Sequence, residues 1–149
     1  MRHVLRYLAI VAGVGAMIVM SSCTLLGKHK LEDKIEQLER KMPVEITSVV
    51  NATDIDYDDD KNVVEIEYEW NVEAFDIAWA SAEERKQEVL SLISVKDIDR
   101  SLPDLIEKAE AGIAVKVELA DGTDVATITY PNISTFNAAA KGRATDVNE

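Results

Sequence analysis

The sequence predicts an α+β fold in which two β-hairpins form a four-stranded antiparallel sheet with helices packed on one face. Two stretches, 63–72 and 113–120, alternate apolar and polar residues with a period of two, the signature of strands buried on one side. An Asp-rich link and the Asp121-Gly122 pair supply turn chemistry that joins strands into hairpins. Two helical segments separate those hairpins. The chain has 149 residues with 47% apolar content, which fits one core-bearing domain with attachments. Its 28 acidic against 16 basic residues, a net charge of −12, argue against a nucleic-acid partner, whose phosphates would be repelled.

Residues 31–42 predict an amphipathic helix, with Leu31, Ile35, Leu38 and Met42 on one stripe, Glu36 and Arg40 as an i,i+4 pair, and Pro43 as its stop. Under two heptads cannot sustain a coiled coil alone, so this helix lies against the domain, stands as a stalk, or self-associates. Strands follow over 44–53 and 63–72; in the second, Val64, Ile66, Tyr68, Trp70 and Val72 share the inward face. The span 73–80 alternates like a strand but leads into a helix. Ser81 and Glu84 form a capping box for that helix, whose Val89, Leu90, Leu92 and Ile93 face inward. Ser101 caps the next, with Pro103 and Asp104 in its first turn and Gly112 as its C′ stop. Strands 113–120 and 123–130 complete the sheet. The acidic α+β domain is thus 44–136, and 137–149 has too little apolar content for anything but a flexible tail.

The amino-terminal segment stands apart. Arg2 and Arg6 precede 14 uncharged residues, Tyr7 to Met20, the size of the apolar region of a secretory signal. Ser21, Ser22 and the sole cysteine, Cys23, follow. Met20-Ser21-Ser22-Cys23 resembles a lipobox, the recognition site of bacterial lipoprotein signal peptides. The resemblance covers residues 1–23. It implies removal of the signal peptide 1–22, a diacylglyceryl thioether on Cys23, and acylation of its new amino group, as by palmitate. Thr24, rather than Asp, in second mature position is similar to lipoproteins forwarded to the outer membrane. That implies a lipid anchor on the periplasmic side, with inner-membrane anchoring as the alternative. Residues 23–43 then form a lipidated tether, TLLGKHK, and the short amphipathic helix. The uncharged run to Gly27, 21 residues, also suits an uncleaved transmembrane anchor. Loss of residues 1–22 leaves 14 basic against 28 acidic groups, a net charge of −14, so acyl chains rather than charge must hold the body to an anionic membrane.

Few residues offer chemistry. His29 is the only histidine after residue 22 and lies on the tether, which argues against triad hydrolases and histidine or cysteine metal sites. Glycine-rich phosphate loops are absent from the sequence. Asp54, Asp56, Asp58, Asp60, Asn62 and Glu65 occupy positions 1, 3, 5, 7, 9 and 12 of an EF-hand-like loop and could wrap Ca²⁺. Asp59 stands where that loop needs glycine and the flanks read as strands, so a solvated hairpin turn is the competing expectation. Glu65, Glu67 and Glu69 share one strand face at roughly 6.5–7 Å intervals, a solvated face or an acidic partner-binding surface. Trp70 packs inward with its strand, although with Trp79 it could form an aromatic platform. No enzyme activity and no cofactor follow. The expected function is a membrane-anchored envelope lipoprotein whose accessory domain binds a protein partner. The alternatives are an inhibitor or immunity lipoprotein that covers a basic target with its acidic face, and a calcium-binding module.

Overall fold

The computed structural model describes residues 23–71, 84, 87 and 93–141. The signal segment 1–22, Val72, the span 73–80 with Trp79, Ser81, Val89, Leu90, Leu92 and residues 142–149 lie outside the described residues; Glu84 and Gln87 are helical.

Five strands build the sheet: β1 (Val44–Thr47), β2 (Val50–Asp58), β3 (Val63–Trp70), β4 (Gly112–Leu119) and β5 (Asp124–Tyr130), adjacent in chain order. The α+β class holds, but the four-stranded antiparallel sheet is corrected twice. First, the stretch 44–53 is not one strand. The Thr47 hydroxyl oxygen accepts hydrogen bonds from the amides of Val49 (3.2 Å) and Val50 (3.1 Å), and this local turn folds β1 back on β2. Second, the two hairpins join in parallel. The chain leaves β3 at Trp70 and returns through residues 71–111, so β4 enters at the end where β3 began, with Val63 opposite Gly112 and Trp70 opposite Leu119. A parallel joint needs such a crossover, which a tight turn cannot supply, and helices stand in its described part at 95–98 and 102–108.

Among the described residues, besides helical Glu84 and Gln87, the sheet is accompanied by α1 (residues 23–39), α2 (Val95–Ile98), α3 (Leu102–Lys108) and α4 (Ile133–Lys141). The stretch 24–30, read as a tether, is helical and belongs to α1. Gly27 explains why it packs: a Cβ there would stand 2.5 Å from the Lys108 carbonyl oxygen, so the helix backbone lies directly on the end of α3. Leu31, Ile35 and Leu38 continue that stripe into one core with Ile55, Ile66 and Tyr68 of the sheet, Leu102 and Ile106 of α3, and Phe136 of α4. The stripe therefore lies against the domain, as one of the three readings of this helix held.

Helix ends also differ from the sequence reading. The α3 stop is Glu110, in the left-handed region at φ 52°; the Ala111 amide donates to the Ile106 carbonyl and the Glu110 amide to that of Glu107. Gly112 instead opens β4, where a Cβ would stand 3.0 Å from the Tyr130 carbonyl oxygen, a contact the strand backbone would have to yield to. The α4 helix runs on to Lys141, so 137–141 is helical rather than a loose tail. Asn132 accepts from the Thr135 amide (2.8 Å), and the following Ala138, Ala139 and Ala140 favour helix strongly.

One ion pair fastens α1 to the loop between α2 and α3. Lys34 Nζ lies 2.7 Å from Asp99 Oδ2, both about one quarter exposed. Partial burial pushes the Asp99 carboxyl up, but Lys34 and the hydroxyl and amide of Ser101 outweigh it and hold the group at about 2. Unfolded, Asp99 takes up a proton near its ordinary 3.8; folded, it resists until about 2. Its contribution is therefore complete above about pH 4 and fades as pH falls toward 2. Lys34→Met should lower the unfolding midpoint at pH 6, with the gap from wild type closing between pH 4 and 2; thermal melts across that window check it.

Candidate functional site

Two surfaces separate themselves from the core. The first is the amino-terminal end of α1. Cys23 is exposed there, and Leu25 and Leu26 follow at 58% and 55% exposure. A groove of about 560 Å³ runs between this turn and the end of α3, with Leu26, Lys30, Lys108, Glu107 and Glu110 on its walls.

The second is the outward face of the sheet. Inward positions of β3 and β4 are buried, so their alternate residues face water. Strand register assembles them into rows: Asp56, Glu65, Ala114, Thr129; Asp54, Glu67, Lys116, Thr127; and Glu45, Asn51, Glu69, Glu118, Asp124. Eight carboxylates thus share a surface on which Lys116 is the cation. Its ammonium pairs with Glu118, with Glu67 at 3.5 Å and with Asp124 at 3.8 Å. The bond to Glu118 raises the Lys116 ammonium above the ordinary lysine range and draws the Glu118 carboxyl down. A shallow groove of about 240 Å³ crosses the middle, between Asp56, Glu65 and Lys116. Glu65, Glu67 and Glu69 stand here as the alternation predicts. Glu45, Glu118 and Asp124 join them through pairings that the sequence reading did not assign; the outward phase of Glu118 was legible, the neighbour it faces was not.

The proposed calcium ligands are dispersed by the same register. Asp54, Asp56 and Asp58 extend β2 instead of curling into a loop, and the turn is confined to 59–62. Asp58 accepts from the Lys61 amide (2.9 Å) and ammonium, which lower its carboxyl below the ordinary range. Asn62 belongs to the framework. Its side-chain oxygen accepts from the Tyr57 hydroxyl (2.8 Å), and its amide nitrogen donates to the carbonyls of Ala109 (3.2 Å) and Glu110 (3.1 Å), tying the hairpin turn to the end of α3. Its φ of 54° is one that Asn tolerates. Among the described residues no group of three or more acidic, histidine or cysteine side chains is placed to hold a metal ion. Trp70 is buried on the inward face of β3.

No protein-family model matches the chain, and no curated protein matches it in sequence. Two solved structures share its fold. The pilotin EpsS from the Vibrio vulnificus type 2 secretion system superposes with a TM-score of 0.55 at 16% identity, over 78% of this chain and 96% of that one. The type II secretion system pilotin AspS from Vibrio cholerae gives 0.50 at 18% identity, over 74% and 93%. At such identities the likeness is one of fold.

Two outcomes follow from the site's geometry. Asn62→Ala should cost about 1–3 kcal/mol in urea unfolding, because two carbonyls and the Tyr57 hydroxyl lose their partner. Millimolar Ca²⁺ should leave the thermal midpoint unmoved, since ligands spread along a strand cannot converge on one ion.

Proposed function

We propose that this chain is a non-enzymatic, lipid-anchored accessory protein of the pilotin type. Acylated Cys23 would hold it on the periplasmic side of the outer membrane, where its body binds and positions a protein component of a type 2 secretion apparatus. The observation that supports this reading is the fold shared with two type 2 secretion pilotins over nearly the whole of their chains. The lipobox resemblance at Met20 to Cys23 supports the anchor independently, because it concerns residues that the fold comparison does not need. Carboxylates standing in open rows, with water on their outer side, suit recognition better than bond cleavage, which needs a cleft around the reacting atoms.

The outward acidic face favours a second reading, an inhibitor or immunity lipoprotein that captures a basic target through Glu65, Glu67, Glu69 and their neighbours. Capture from cross-linked envelopes separates the two. A secretion component retained from low salt to about 0.5 M salt supports the pilotin reading, whereas a basic protein lost over that range supports the inhibitor. Cys23→Ser should move the protein from the membrane fraction to the soluble periplasm; unchanged membrane retention would refute the lipid anchor.

A further inference from the structure

We infer that the first turn of α1 is a membrane-docking surface: Leu25 and Leu26 enter the bilayer beside Cys23, with Lys28, Lys30 and Lys108 at the level of the lipid phosphates. This rests on the lipid-anchored reading of Cys23 and deepens it, because it fixes how the body stands on the membrane.

The chain between anchor and body has no slack. A helix rises about 1.5 Å per residue, so Cys23 and Gly27 are about 6 Å apart along the axis. At Gly27 the helix backbone already rests on the Lys108 carbonyl. Acyl chains on Cys23 therefore bring the amino-terminal turn of α1 and the end of α3 against the headgroups. Among the described residues, Leu25, Leu26 and Val49 are the exposed large apolar side chains, and two of these three lie within three positions of Cys23. Leucines so placed sit within the 5–10 Å or so that interfacial helices bury.

Charge follows the same axis. Lys28, His29 and Lys30 come one turn after the leucines, and the first acid of α1 is Glu32. Lys108 adds a third ammonium across the groove, where Glu107 and Glu110 also stand. Around the groove Lys30 and Lys108 balance Glu107 and Glu110, and Lys28 lies one turn from the leucines, while Asp59 and Asp60 of the turn between β2 and β3 stand at the same corner through Asn62. Lysines at that depth extend their ammonium groups to phosphate while their stems lie in the apolar boundary. The acidic sheet face, on the far side of the sheet from α1, stays away from anionic lipid.

Lipidation consumes the only native thiol, so a second cysteine in the acylated protein can be labelled singly. Leu26→Cys, Glu36→Cys and Thr127→Cys, all at exposed positions, would each carry an environment-sensitive fluorophore. The probe is a vesicle of phosphatidylethanolamine and phosphatidylglycerol doped with nitroxide lipid. Docking predicts a blue-shifted emission at 26 and quenching several-fold stronger than at 36 or 127. If the protein floats with the vesicles but position 26 reports water, docking is overturned and the anchor stands. If position 26 becomes shielded only when an envelope protein is added, that surface belongs to a protein and docking is again overturned. If the acylated protein does not float, anchor and docking fall together. Leu25→Asp combined with Leu26→Asp should preserve the melting temperature and flotation yet abolish the shift of a label placed at Lys30→Cys; an undiminished shift would equally refute the leucines' role.

Discussion

Along the central joint of the sheet, Val64, Ile66, Tyr68 and Trp70 of β3 stand beside Ile113, Val115, Val117 and Leu119 of β4 in unbroken register. Each of these side chains is buried, and burial of one large apolar group is worth about 1.5–3 kcal/mol. A slip of one residue by β3 would turn its four to water and bring Glu65, Glu67 and Glu69 into the core, and the same slip by β4 would bring in Lys116 and Glu118. Exposed ion pairs on the opposite face are far too weak to oppose this. The joint therefore fixes which side of every neighbouring strand faces inward, and with it the place of each helix.

From that joint the molecule is built outward in two directions. Inward, α1 lays Leu31, Ile35 and Leu38 on the core, and Gly27 lets the same helix touch the end of α3. Asn62 and Glu110 complete the corner: the hairpin turn between β2 and β3 caps the carbonyls of α3 just before β4 begins, where the Gly112 amide donates to the Asn62 carbonyl. One corner thus holds the start of both central strands, the end of α3 and, through Gly27, the helix α1. The segment 23–30 is consequently part of the folded body and not an appendage to it.

What the sequence could express was local. Period-two alternation revealed the faces of β3 and β4, and Asp121-Gly122 revealed the last hairpin, where Gly122 adopts φ 84°. Parallel joining of β3 to β4 was not legible, because alternation states which face is buried and not which way the neighbour runs. The break in 44–53 hid in Thr47, whose hydroxyl reaches two amides that the hydrocarbon side chain of a Val or Ile would leave alone. The tether reading of 24–30 failed since Gly27 resembles a flexible joint in sequence, whereas here its missing side chain permits backbone contact. The calcium ladder of alternate aspartates is, equally, what a strand with one acidic face looks like when read as a loop.

The acidic face shapes the molecule as much as the core does. Asp54 stands directly opposite Glu67, Asp56 opposite Glu65, Glu69 opposite Glu118, and Glu118 opposite Asp124. Like charges paired across strands oppose folding, and one lysine touches only three of these groups. Water makes the arrangement tolerable, because its dielectric weakens repulsion that a dry interior would magnify many-fold. Covering this face with an apolar layer would strip the carboxylates of that solvent at a cost that burial of apolar surface would have to offset. The face is thereby kept open by its own charge.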